Sequence, residues 1–596
     1  MILLEKDFKE GFYGSVIRSE NVVIITNVDV DSLCAATILT NLLETDEVMY
    51  SLLAISSWSE LKELFDEYSL LNNPPTHYVL LNCGGYRSFL EMEIELPKKS
   101  SIFIIDSKRP FHLDNVFSAE GIHVLCLDSE LNELNLPEYS QIVDPNSQSD
   151  SDSDEEDAEN QEISIAERVE RRLLKRKEMA VHRQNRDQIL FEYNRFTYTS
   201  IPTSVFLLKL AHSMGKSTAG LTWCAAVGLS SYQVENSIST QTYSAICLEH
   251  MKPFIRRFGP REKLRIDPNF RISFDRELQL PLYRHWTLND SIFNNLFFIC
   301  KARMWSHVGK DLVKHVYASL GIPLHECTEN FESLSPERRK EIFEILAKYM
   351  NSEFFSFFSH LGYSRVYSAV DVARVLALIL QPPRNQQQQA EERNSFLKAF
   401  QLLRYYITRN GGDTDEMKEA VHRYQNALQA MTTLIFDSVQ QNRFLKIENY
   451  ILLTIKSGKF AEVDYLYSQH CMKLFLPLAL RVFHGTYRFE RDIENLEPKK
   501  RAKVKRRLRK PLFVAVLNRQ IDNTRWYTVS GSMSMIGSSD PERKSCIPQL
   551  FDKLNEDKNL HLIYDQIESN VILVREDSYG PFFSRIELEL PAVDDT

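Results

Sequence analysis

The sequence predicts an α/β protein: a largely parallel sheet domain at the front, a helical middle region, and a smaller α/β domain at the back. Between Asn21 and about Leu127 five runs are apolar on both faces: VVIIT, VMYSLLAI, HYVLLNC, SIFIID and HVLCL. They lie roughly 20 to 28 residues apart with amphipathic segments between some of them, the rhythm of buried parallel strands crossed over by helices. From about Leu264 to Leu380 the text turns to long amphipathic stretches, and strand-like runs return only in the last third.

Bulk composition sets the class. At 596 residues the chain is too long for one compact core, and about two to four domains are expected. An apolar fraction of 43% and a charged fraction of 26% are those of a globular protein and exclude a collagen-like or largely disordered chain. The net charge of −10 excludes a uniformly basic surface. Nine cysteines are scattered through apolar segments with no C-x-x-C pair, so they read as buried thiols of a reducing compartment, not as a disulfide framework or a zinc site. The opening MILLEKDFKEGF lacks the basic and apolar regions of a secretory signal, and no run of about 18 apolar residues occurs; a soluble intracellular protein without membrane contact is expected.

Shifts in composition divide the chain. Residues 1–145 hold the first sheet, whose first helix, SLCAATILTNLLE, places Leu33, Ala36, Leu39, Leu42 and Leu43 on one face behind Asp31 or Ser32 as N-cap. Residues 146–195 comprise the acidic run SQSDSDSDEED and a long charged helix from about Ile163, exposed or partner-contacting, that re-enters the fold near Ile189. Residues 196–260 are helical and complete the first domain; 261–380 form a helical interdomain region; 381–394, QPPRNQQQQAEERN, is a linker. The C-terminal domain, 395–596, carries helices and then the strand-like runs NYILLTI, LFVAVLN, WYTVSG, VILVRE and RIELEL.

Chemistry concentrates in VVIITNVDVDSLCA, where Asp29 and Asp31 follow the first strand at the place where open α/β sheets hold their ligands. On an extended strand end, alternation aims both carboxylates at one cation. The competing reading makes one of them a helix N-cap and leaves the other exposed.

N-V-D-V-D-S resembles the first motif of the DHH phosphoesterases, the superfamily of the RecJ exonucleases, roughly D-x-D-x-D-G, with Asn27 at the first acid and Ser32 at the glycine. LLNCGG is similar to the second motif, in which an aspartate bridges two metals; Asn82 stands there. IIDSKRP is similar to the Asp-His-His motif, with Asp106 followed by Ser107 and Lys108. The resemblance implies a DHH-like first domain, a DHHA1-like C-terminal domain, and a vestigial site at Asp29, Asp31, Asn82, Asp106 and Lys108. Two divalent ions about 3.5–4 Å apart need several carboxylates. An amide supplies no bridging charge, and Lys108 beside Asp106 repels a metal and is free to pair with that carboxylate. No catalytic residue, metal or cofactor is therefore expected, and the aspartates are assigned to hydrogen bonding and capping. A metal-dependent single-strand nuclease or phosphodiesterase using Asp29, Asp31 and Asp106 is the alternative.

Together with the acidic insertion and the interdomain segment, these decayed motifs resemble the eukaryotic cell division control protein 45 family. RISFDRELQLPLYRHWTLNDSI, residues 271–292, is the most specific likeness outside the first domain, and AAVGLS also fits. The family pattern carries a histidine where Lys108 stands. The resemblance implies a nuclear, non-catalytic factor of replication initiation and elongation. Such a subunit joins the MCM hexamer and the GINS complex in the replicative helicase, meets replication-initiation factors and the replicative polymerase, and contacts single-stranded DNA by backbone electrostatics and stacking. A single-strand-binding module acting alone is the third reading.

Three further signals are weighed. M-G-K-S-T at Met214–Thr218 lacks the upstream glycine of a phosphate-binding loop, Leu210 standing there, and is not an ATP site. The proline-bounded run PKKRAKVKRRLRKP offers Lys499, Lys500, Arg501, Lys503, Lys505, Arg506, Arg507, Arg509 and Lys510 as a nuclear import address, as a DNA-contacting strip, or as a solvated loop. Ser149, Ser151 and Ser153 have the acid-flanked spacing of acidophilic kinase sites, a pattern shared by plain solubilising loops.

Overall fold

The structure, a computed structural model, describes residues 1–590 except 20, 95, 98–99, 119–120, 132–133, 143–164, 259–269, 351–353, 362–364, 382–387, 409–414, 457–465, 467–468, 485–496, 501–508, 522 and 534–543.

The front of the chain forms β1 (Ile2–Leu3), β2 (Val22–Asn27), β3 (Tyr50–Ile55), β4 (His77–Leu81), β5 (Ser101–Ile105), β6 (Lys108–Arg109) and β7 (Ile122–Leu125). Among the described residues they build a six-stranded sheet in the order β1-β7-β5-β4-β2-β3, parallel throughout, while β6 pairs antiparallel with β8 (Tyr198–Thr199). All five expected strands are present. Val22, Val23, Ile24 and Ile25 are completely buried, which is why this strand reads as an unbroken apolar run. The chain leaves β2 toward β3 on one side and reaches β4 on the other, so the carboxyl ends of β2 and β4 flank the topological switch point.

The first helix spans Val30–Thr45 and is buried nearly all round, beyond the single face expected, because the helices Thr203–Ser213 and Ala219–Val234 pack over it. Its N-cap is Asp29, not Asp31 or Ser32: Asp29 is extended (φ −137°, ψ 167°) and its carboxylate accepts from Ser32 N. The charged helix runs Ile165–Asn194 and is tied to the first domain where Tyr193 Oη donates to Phe111 O, just after β6, at 2.8 Å.

The middle region is helical as expected, with His307–Ser319, Pro336–Met350 and Ala369–Ile379, but it also holds an unforeseen antiparallel sheet of β9 (Phe270–Glu277), β10 (Phe354–Leu361) and β11 (Arg365–Ser368), which packs against Ala369–Ile379 and Ala219–Val234. Of the expected linker 381–394, residues 382–387 lie outside the described residues and 388–394 are helical, part of Gln388–Thr408, which Phe396, Ala399 and Leu403 anchor.

The back of the chain folds as a mixed sheet of β12 (Phe444–Lys446), β13 (Ile451–Lys456), β14 (Leu512–Ile521), β15 (Thr524–Ser532), β16 (Leu562–Ile563) and β17 (Val571–Arg575), ordered β12-β13-β14-β15-β17-β16. RIELEL, expected as a strand, is the end of the helix Tyr579–Glu589. Phe582, Phe583 and Ile586 are buried at helical spacing, and Leu588 is exposed. This lobe docks over the carboxyl edge of the first sheet: Trp58 N donates to Asp565 O at 2.8 Å, Tyr86 Oη to Asp552 at 2.6 Å and Arg87 to Tyr564 O at 2.9 Å. No helix among the described residues is long and apolar enough to cross a membrane.

Candidate functional site

The turn after β2, the end of β4 and the end of β5 bring Asp29, Asp31, Asn82 and Asp106 together at the switch point. Because β2 stops at Asn27 and the helix starts at Val30, the two first-motif aspartates do not share the alternation of one strand. Asp29 caps the helix. Its oxygens accept from Ser32 N (2.7 Å), Ser32 Oγ (2.8 Å) and Asn27 Nδ2 (2.8 Å). Burial, and then the neighbouring charge of Asp31, push its carboxyl up to about 7, against the pull of Ser32 and the Lys473 ammonium.

Asp31 is completely buried and accepts five hydrogen bonds: Asn82 Nδ2 (2.9 Å), Thr203 N (2.8 Å), Ser204 N (3.1 Å), Ser204 Oγ (2.5 Å) and Tyr232 Oη (2.8 Å). Two of these donors are the first amides of the helix Thr203–Ser213, so the positive end of a helix dipole faces a carboxylate that in a metal centre would face a cation. The approach is close enough to require glycine at 228, where a Cβ would stand 2.8 Å from Asp31 Oδ1.

Asn82, in the left-handed region at φ +52°, uses both ends of its amide. Nδ2 donates to Asp31 Oδ2 and to Ser32 Oγ (3.0 Å), while Oδ1 accepts from Ser107 N (3.1 Å), Ser107 Oγ (3.0 Å) and Thr203 Oγ1 (2.6 Å). An aspartate here would set carboxylate against carboxylate. Asp106, 5% exposed, accepts from Gly85 N (3.0 Å) and from the backbone N of Lys108 (2.9 Å).

The Lys108 side chain does not pair with Asp106, which corrects the expectation from sequence. Its ammonium leaves the first lobe and donates to Ile567 O (3.0 Å) and Glu568 Oε2 (3.4 Å). There it meets a group that sequence reasoning missed. Lys473, on the helix Gln469–His484, bridges Glu568 (2.8 Å) and Glu235 (3.0 Å). The two ammonium groups hold the Glu568 carboxyl far below its usual range, and the two carboxylates raise Lys473. Asp29, Lys108, Lys473 and Glu568 line one cleft of roughly 210 Å³ between the lobes. The only trace of Lys473 in the sequence is a lysine set among Cys471, Met472, Phe475 and Leu476, all buried.

These residues do not fit a two-metal centre. The ligand lone pairs of Asp31 are taken by protein donors, Asn82 presents N–H toward it, and a fixed ammonium lies close enough to pull on Asp29. Among the described residues the cluster with three adjacent metal-ligating side chains is Glu91, His112 and Asp114, which includes none of the switch-point acids. Lys216 of the rejected phosphate-loop match is paired with Asp46. Of the basic run, Lys499 and Lys500 are exposed, Lys500 pairs with Glu497 at 3.0 Å, and Lys510 donates to Ile447 O at 2.9 Å. Arg501, Lys503, Lys505, Arg506 and Arg507 lie outside the described residues, as do Ser149, Ser151 and Ser153.

The family model described as CDC45 matches residues 22–171 and 144–589 of this chain. The chain belongs to the CDC45 family. It is similar to the Cell division control protein 45 homolog of Homo sapiens, 26% identical over 391 residues, covering 63% of this chain and 68% of that one. The homolog of Schizosaccharomyces pombe is 22% identical over 428 residues, covering 64% and 66%. Among solved structures, CDC45 from Entamoeba histolytica superposes with a TM-score of 0.66 at 15% identity, over 99% of both chains. The fold read from the sequence, a parallel α/β sheet domain joined through a middle region to a second α/β lobe, is thus the fold of a CDC45 protein. The interlocked aspartates and the Lys473 bridge are what this CDC45-family chain holds at its switch point.

Proposed function

We propose that this chain acts in DNA replication, in the nucleus, as a non-catalytic subunit of the replicative helicase assembly formed with the MCM hexamer and the GINS complex. Replication-initiation factors and the replicative polymerase are further partners in this reading, and single-stranded DNA is contacted between the lobes. The observation that carries the non-catalytic part is the saturated hydrogen bonding of Asp31, since a carboxylate with five protein donors has no lone pair left for a metal. The first lobe then serves as a rigid platform, the charged helix Ile165–Asn194 and the middle region supply interfaces, and the run Lys499–Lys510 directs import.

Two experiments test the two halves of this reading. Affinity purification of the tagged chain from its own cells returns MCM and GINS subunits; recovery of neither overturns the assembly role. Purified protein incubated with manganese leaves labelled single-stranded DNA intact; degradation that disappears in Asp31→Ala overturns the non-catalytic assignment.

A further inference from the structure

A second cavity, of roughly 240 Å³, lies away from the switch point, where the end of the helix Ala219–Val234, the end of β9 and the start of the helix Ala369–Ile379 converge. Glu277 and Asp371 both line it, and they are 6% and 4% exposed. Glu277 closes the strand within the block that resembled the family most specifically beyond the first domain.

The hydrogen bonding of Glu277 is lopsided. Oε1 accepts from Tyr283 Oη (2.7 Å), Leu278 N (3.0 Å) and, more distantly, Arg284 (3.4 Å), whereas Oε2 is buried and has no partner among the described residues. The Arg284 guanidinium lies over the rings of Tyr283 and Phe358, 5.0 Å from each centroid, and its ion pair with Glu277 is made to Oε1, not Oε2. Asp371 is tied to Arg374 at 2.8 Å and to Leu282 N at 3.3 Å. Gln233, which lines the same cavity along with Arg374 and Arg481, also has a buried acceptor without a partner, Oε1. Two unsatisfied acceptors, one of them on a carboxylate, ask for N–H donors. Burial already holds the Glu277 carboxyl above its usual range despite Arg284.

The volume bounds the occupant. It is several times the roughly 30 Å³ share of one water molecule, and it falls below the about 300–1,000 Å³ of drug-sized pockets. The apolar part of the wall, Leu280, Phe297, Phe354 and Val370, suits an alkyl stem.

We propose that this cavity is a binding site for an alkyl ammonium or guanidinium group, donating to Glu277 Oε2 and Gln233 Oε1 with its stem against Leu280 and Phe297. The group is carried either by a free amine or by a lysine or arginine side chain of a partner. This inference is independent of the assembly role.

The test uses the full chain and ligand-observed NMR with n-butylammonium and n-butylguanidinium, with n-butanol and butyrate as neutral and anionic counterparts. Cationic probes bind, the counterparts do not, and Glu277→Gln weakens binding by about tenfold or more, the scale of one hydrogen bond to a charged group. Gln233→Leu, at a half-buried position, gives a second reading should Glu277→Gln unfold. Spermidine binding more tightly than N-acetyl-arginine amide and N-acetyl-lysine amide assigns the site to a free amine, and the reverse order assigns it to a partner side chain. Equal response to n-butanol, absence of cation binding, or binding unchanged in the readable variant overturns the proposal and leaves a cavity filled by water only.

Discussion

Replacing Lys473 by methionine removes the ammonium that joins the two lobes while keeping an unbranched stem on the helix Gln469–His484. In the wild-type chain this group lies 3.0 Å from Glu235 and 2.8 Å from Glu568, whose side chains are 8% and 6% exposed. Removing one partner of a buried ion pair costs about 3–5 kcal/mol, because the other charge stays buried without compensation. Two features of this site reduce that figure. Lys473 keeps 25% of its side-chain surface, and Glu568 retains Lys108 at 3.4 Å. The expected destabilisation is therefore about 2–4 kcal/mol.

Urea unfolding followed by fluorescence, with the midpoint compared between variants at one pH, reads this cost. The decisive control is the triple variant Lys473→Met, Glu235→Gln, Glu568→Gln, in which no uncompensated carboxylate remains. It should recover most of the loss, since neutral replacements of a buried ion cluster are often tolerated. A single variant within about 0.5 kcal/mol of wild type, the range of an ordinary surface substitution, refutes the assignment of Lys473 as an internal cation. A triple variant no more stable than the single one refutes its electrostatic cause.

Further expectations concern the same cleft and the basic run. Asn82→Asp turns two donated hydrogen bonds into a carboxylate facing Asp31, and should cost about 2–4 kcal/mol; a thermal-shift series with manganese should show no rescue, and an upward shift on adding the ion would refute the view that the centre no longer fits a metal. Asp29→Asn keeps the helix cap and removes a carboxyl held at about 7 against 3.8 when exposed. Between those values the native state keeps a proton that the unfolded chain has released, so this group's contribution is fully present below about pH 4 and is lost as pH rises through 7. The variant should therefore lose less stability than wild type between pH 4 and 7, by about 3–4 kcal/mol at about 1.4 kcal/mol per unit, as measured by urea midpoints across that range. Deleting Lys499–Lys510 should abolish nuclear accumulation of a fluorescent fusion; unchanged accumulation would remove the import reading.

What the sequence disclosed follows from the range of the interactions involved. Strands such as VVIIT are buried on both faces by a sheet whose neighbours share the same composition, so a local window sees the whole signal. Asn82 and Asp106 were located because each ends such a strand within a motif whose wording survives. β9 escaped because its pairing partner β10 lies some 80 residues on, Phe354 opposite Glu277, with helical text between them; the cost and reward of such a pairing are non-local. RIELEL misled for the opposite reason, since alternation over six residues also fits a helix once Phe582 and Phe583 are counted.

The same distinction explains why the site itself was only half legible. Sequence could say that, against the motifs it resembles, an amide stands in place of a bridging acid and the histidines are missing, which are statements about single positions. It could not say what stabilises the acids that remain. Asp31 draws its donors from residues 172, 173 and 201 positions away as well as from Asn82, and Lys473 reaches the cleft from the other lobe. None of Thr203, Ser204, Tyr232 or Lys473 belongs to a ligand motif, and each is an ordinary residue until the fold supplies the carboxylate. A buried acid needs charge compensation; a helix N-terminus and a tyrosine supply it to Asp31, and an ammonium from the second lobe pulls on Asp29, so the cleft forms a structural joint between the lobes.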